Sequence, residues 1–143
     1  MRSILLFIFT LLCVYPMPAQ TADNSEDRPF VGHFYCKETG VHMFLDLYEA
    51  SLEAPGFSFL GKMNGFMYGD IYGTWMITEH KITERKATLR FSNDIGSDTQ
   101  TILFIQEGDS IFSYKAQGTN SIRKAEGRKL VKIASEMQFV KQP

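Results

Sequence analysis

The sequence predicts an all-β fold, a single antiparallel barrel or sandwich of about 8–10 short strands joined by hairpins. Two observations carry this. From Lys86 onward, segments of alternating polarity are separated by turn-forming clusters at intervals of about ten residues. The chain has 143 residues, 44% hydrophobic and 22% charged, which supplies one core and leaves no room for a second domain.

The elements follow in order. Residues 1–20 read as a secretory signal peptide: Arg2 precedes an apolar run from Ile4 to Val14, and Pro16-Met17-Pro18-Ala19-Gln20 supplies small and turn-forming residues for cleavage. The run is too short for a bilayer span, which takes about 20 residues, so no integral membrane span is expected. Leu12 before Cys13 is not the small residue of a lipoprotein site, so a lipid anchor is the less favoured outcome. The protein is therefore expected to be secreted or periplasmic. Residues 21–28 are polar and read as a disordered leader, and the barrel domain is expected to occupy 29–135.

Val31 to Glu38 reads as a strand ended by Thr39-Gly40. Val41 to Glu53 fits a strand, with Val41, Met43, Leu45 and Leu47 on one face, better than a helix striped by His42, Asp46, Glu49 and Glu53. Between Phe57 and Trp75, glycine recurs at 61, 65, 69 and 73. Lys62, Asn64 and Asp70 exclude a membrane helix there. Asn64-Gly65 is a preferred pair for a two-residue hairpin. That turn sets Met63 opposite Phe66, Gly61 opposite Tyr68 and Phe57 opposite Tyr72. The aromatic and methionine face so formed (Phe57, Phe59, Met63, Phe66, Tyr68, Tyr72, with Trp75 following) is the expected ligand-binding surface.

In the second half, Ala87, Leu89 and Phe91 alternate with Lys86, Thr88, Arg90 and Ser92. Thr99 to Gln106 is apolar on both faces at its centre, and Phe112, Tyr114 and Ala116 are in phase after the Glu107-Gly108-Asp109 turn. Ser121 to Lys124 and Lys129 to Ile133 form a last hairpin, and 136–143 is expected to be a C-terminal tail.

Chemistry-bearing motifs are sparse. His33, His42 and His80 lack metal spacing, and Cys36, the one cysteine beyond the signal, reads as buried and inert. A Cu(I) site from Cys36, His42, Met43, Met63 and Met67 is conceivable but less favoured than methionines filling a core. The loop from Ser92 to Asp98 has oxygen donors without the EF-hand order, and no nucleophile elbow is present. Neither metal nor cofactor is expected. Arg123, Lys124, Arg128, Lys129 and Lys132 decorate the last hairpin, where an anion or acidic partner would fit, although such charges commonly guard strand edges. Export and a mildly acidic balance argue against a nucleic-acid partner.

The Gly32-His33-Phe34 strand start, the run of hairpins and the secretory signal together resemble lipocalin-like small secreted β-barrel proteins of Gram-negative bacteria. Phe34 stands where that family has the tryptophan of its Gly-x-Trp motif, and the single tryptophan, Trp75, lies mid-chain. The resemblance implies a barrel enclosing an apolar ligand and transfers no binding residue. The leading functional expectation is an exported, noncatalytic binding protein for a small apolar ligand or a protein partner. The alternatives are a carboxylate-dependent hydrolase of the cell envelope and a subunit of a surface assembly that uses an exposed sheet edge.

Overall fold

A computed structural model describes residues 28–143. The expected signal peptide and all of the expected leader except Arg28 lie outside the described residues. Eight strands close a barrel: β1 (Val31–Cys36), β2 (Val41–Asp46), β3 (Gly65–Gly69), β4 (Trp75–Thr83), β5 (Lys86–Asn93), β6 (Thr99–Gln106), β7 (Ile111–Ala116) and β10 (Glu136–Lys141). Two more, β8 (Arg123–Glu126) and β9 (Lys129–Lys132), make a separate two-stranded hairpin inserted between β7 and β10. Neighbouring strands around the barrel pair antiparallel, and each is followed in sequence by its spatial neighbour until the β8–β9 excursion. Among the described residues no helix is long and apolar enough to cross a membrane.

Period-two alternation builds the core. Val41, Met43 and Leu45 point inward from β2, as do Ala87, Leu89 and Phe91 from β5, and Phe112 and Tyr114 from β7; all are buried. Phe34, Phe91, Phe104, Phe112, Tyr114 and Phe139 fill the interior, with rings meeting edge-on and stacked at centroid separations such as 4.7 Å for Phe34–Phe112 and 5.1 Å for Phe104–Phe112. Phe30 reaches Phe104 and Phe112 from just before β1. At the closing seam the Lys141 Nζ lies 5.7 Å from the centroid of the Phe34 ring and donates to the Pro29 carbonyl at 3.4 Å. Gly32, with φ 134°, keeps that lysine's path clear, since a Cβ there would stand 3.0 Å from Lys141 Cε.

Two expectations are corrected. Residues 136–141 are not a tail: they form β10, which pairs with β7 and β1 and closes the barrel, burying Met137 and Phe139. Asn64-Gly65 is not a hairpin turn. Asn64 is stitched to the end of β2, accepting from Asp46 N at 2.8 Å and donating from its side chain to Asp46 O at 3.0 Å. β3 then runs beside β2, with Gly65 opposite Leu45 and Phe66 opposite Phe44. A Cβ on Gly65 would stand 2.6 Å from the Phe44 carbonyl oxygen, so this glycine serves a close strand approach. Met63 instead bridges Leu52 within the long β2–β3 connection.

Candidate functional site

The expected aromatic face is dispersed. Trp75 points into the barrel at 2% exposure, Phe66 and Tyr68 face away from the interior, Phe66 being buried at 5% exposure and Tyr68 half-buried, and Phe59, in a 3-10 turn at Ser58–Leu60, is 79% exposed. Phe57 sits beside Phe59 at a ring separation of 6.0 Å, and Met63 is half-buried in the β2–β3 connection. The structure brings these residues together in pairs only: Phe66 with Tyr68, Phe57 with Phe59, and Tyr72 with Trp75.

The Phe66–Tyr68 pair belongs to an array on the outer surface of β1, β2 and β3. Strand register aligns His33, Phe44 and Phe66 in one row and Tyr35, His42 and Tyr68 in the next. The rings stand nearly parallel: His33 and Phe44 are 4.3 Å apart at 1°, and Phe44 and Phe66 are 5.2 Å apart at 20°. His33 Nε2 and His42 Nδ1, 2.9 Å apart, share a hydrogen bond that links the two rows. Burial, and then the neighbouring His42 charge, hold the His33 pKa below the ordinary histidine value. The sequence showed period two in each strand; the pairing of His33 with His42 depends on cross-strand register. The same register separates the conceivable copper ligands, since His42 faces outward while Cys36, Met43 and Met67 are buried inside. Among the described residues no group of three or more His, Cys, Asp or Glu is placed to hold a metal ion.

The second pair, Tyr72 and Trp75, opens onto a groove at one end of the barrel. The β1–β2, β3–β4 and β5–β6 turns and the β8–β9 excursion all gather at that end, as alternating strand direction requires. Two buried amides seat the hairpin there. Asn120 donates through Nδ2 to Ile133 O (3.0 Å) and Ala134 O (3.1 Å) and accepts from Ile122 N (3.2 Å). Gln100 donates to Thr101 O (2.9 Å) and accepts from Ser121 N (2.6 Å). Ile122 and Ile133 are thereby held in the core cluster, and Tyr72 N donates to Arg123 O at 2.6 Å, tying the hairpin to the β3–β4 loop.

The groove, of about 210 Å³, is bordered by Tyr72, Trp75, Asn93, Ile95, Asp98, Ser121, Arg123 and Leu130. Trp75 is its most buried element, and the indole Nε1 donates to Tyr72 O at 3.2 Å, which fixes the ring. Tyr72 (55% exposed), Ile95 (69%) and Leu130 (46%) are large apolar side chains left in contact with water around one concavity. Asn93, itself buried, shapes the neighbouring turn by accepting from Ser97 N (3.0 Å) and Asp98 N (3.3 Å). The Ser92–Asp98 loop thus owes its oxygen-rich composition to turn geometry.

A second hollow, of about 320 Å³, lies between Arg28, Val31, Asp46 and Lys141. Its carboxylate is already engaged: Asp46 accepts from Ser51 Oγ at 2.5 Å, Glu49 N at 3.0 Å and Tyr48 N at 3.2 Å. Burial opposes the Asp46 charge, but these hydrogen bonds, with Arg28 nearby, outweigh it and hold the carboxyl below its ordinary pKa. Such a group is an ion at neutral pH and a poor proton donor. No family model, curated protein or solved structure matches the chain.

Proposed function

We propose that the chain is an exported, noncatalytic binding protein of lipocalin-like architecture that takes a small apolar ligand in the rim groove rather than in the barrel interior. The observation that carries this reading is the gathering of Tyr72, Ile95 and Leu130, all substantially exposed, around one concavity with Trp75 beneath them. A few exposed apolar side chains scattered over a surface are ordinary, whereas several converging on a hollow with a polar rim mark a binding site. The interior argues in the same direction, because aromatic rings in mutual contact occupy the space that a ligand would need. The polar rim of Asn93, Asp98, Ser121 and Arg123 would orient the ligand.

Trp75 is the only tryptophan and borders the groove, so in the folded protein its fluorescence senses a ligand bound there. Titration with a neutral apolar probe such as 1-octanol is expected to shift its emission, and Tyr72→Ala and Leu130→Ala are expected to weaken that response without moving the urea midpoint. Probe binding that survives both substitutions would place the site elsewhere. Export is tested separately by the intact mass of protein from its native host, which should begin near Gln20 or Thr21 and carry no lipid.

A further inference from the structure

The charges of the β8–β9 hairpin are not arranged as edge protection alone would arrange them. It carries five cations (Arg123, Lys124, Arg128, Lys129 and Lys132) against one carboxylate, Glu126, in a chain whose net charge is −1. On one face Glu126 stands across from Lys129, its opposite in charge. On the other face, which Leu130 shares, Arg123 stands directly opposite Lys132. Like charges in that relation destabilise a strand pair. Among the described residues the one ion pair is Glu79–Arg90, so neither Arg123 nor Lys132 is paired with a carboxylate. This face borders the groove through Arg123 and Leu130.

We infer that the groove takes a monomeric amphiphilic anion, its short acyl or aryl body lying on Tyr72, Ile95 and Leu130 and its single carboxylate or phosphate head bridging Arg123 and Lys132. This rests on the binding reading above and adds the ligand's chemical class. The bridging head relieves the like-charge pair, and the hairpin's positive field draws the anion to the groove's mouth. Asp98 also borders the groove and repels anions from its own position, which leaves the Arg123–Lys132 side for the head. The volume of about 210 Å³ sets the size of the body.

The test compares octanoate, octyl phosphate, 1-octanol and inorganic phosphate on the intact protein through Trp75 emission and calorimetry. Octanoate and octyl phosphate are expected to bind about tenfold more tightly than 1-octanol. Arg123→Ala should bring both down to the level of 1-octanol measured on the same variant, and Lys132→Ala, which lies outside the groove lining, should do so in part while leaving octanol binding unchanged. Both side chains are surface-exposed, so these variants fold. Equal binding of octanoate and octanol would overturn the anionic head and leave the apolar-ligand reading standing. No response to any of the three octyl compounds would overturn both. Inorganic phosphate competing as well as octyl phosphate would reduce the site to a simple anion site and overturn the proposal. So would tighter binding to phosphatidylglycerol vesicles than to free octyl phosphate, which would mark a membrane-docking surface instead.

Discussion

Tyr114→Phe should make this protein more stable. Tyr114 lies on β7 with its ring fully buried against Phe139, at a centroid distance of 5.9 Å, and its hydroxyl is buried with no hydrogen-bond partner. Burial alone pushes the phenol pKa far above its ordinary value. A hydroxyl taken from water without a compensating partner costs about 1–3 kcal/mol on mutational scales. Replacing it with hydrogen removes that cost and leaves the ring in place, at the loss of one oxygen atom's packing, about 0.5 kcal/mol. The expected net gain is about 0.5–2.5 kcal/mol. For a domain of this size that is a rise in midpoint temperature of roughly 2–10 °C. Urea unfolding followed by Trp75 emission reads it directly: the midpoint should rise with the slope unchanged. A loss of about 1 kcal/mol or more would mean that the hydroxyl is satisfied in solution, and the reasoning from an orphaned oxygen would fail. Tyr114→Leu, which removes ring and hydroxyl together, should instead cost about 2–4 kcal/mol through lost packing.

Because the folded His33 pKa is lowered, the unfolded chain binds more protons than the folded one between the two values, so His33's contribution is fully present above about pH 6.5 and is lost as pH falls through the folded value. His33→Phe keeps the stack on Phe44 and should flatten that part of the stability–pH profile, and an unchanged slope would show that His33 does not produce it. Asn120→Ala strands Ile122 N and two carbonyls and should cost about 2–4 kcal/mol. Hydrogen exchange should then show the loss concentrated in residues 117–135, and a uniform or negligible change would show that Asn120 does not seat the hairpin. Deleting residues 136–143 should abolish cooperative unfolding, since it removes Met137 and Phe139 from the core, whereas a silent deletion would mean that β10 is dispensable.

The barrel was legible where local pattern and tertiary role agree. In β5 the alternation of Ala87, Leu89 and Phe91 with polar residues is itself the record of one face turned inward. The same holds for Val41, Met43 and Leu45, which made β2 a strand despite a competing helical stripe. β10 carried the same signal in Met137 and Phe139, but it follows a hairpin of charged residues and has no turn partner nearby, because its mates β7 and β1 lie on either side of a long excursion and at the far end of the chain. Asn64-Gly65 misled for a related reason. Turn propensity is a property of two residues, while the choice between folding back on Phe57–Met63 and docking beside β2 is settled by pairing with residues some twenty positions earlier. Of the expected site, Tyr72 and Trp75 fall at the groove, but Ile95, Arg123 and Leu130 come from three different loops and strands. Only the closed barrel gathers them.

Closure through β1 and β10 also governs how the chain must fold. The pairs Phe34–Lys141 and Tyr35–Val140 join residues at opposite ends of the domain, so the loop entropy of closing this seam is paid last. The meander from β1 to β7 can zip from hairpin to hairpin by short-range contacts, but until β10 arrives it is an open sheet with bare donors and acceptors along β1 and β7. Those are the sites at which two nascent chains would pair with each other, or at which β10 of one molecule would complete the barrel of another. Refolding yield should therefore fall with protein concentration more steeply than stability would suggest. A short, flexible connection between residues 143 and 29, with new termini opened at the Glu84-Arg85 turn, would make the seam local and turn the slowest pairing into one of the fastest.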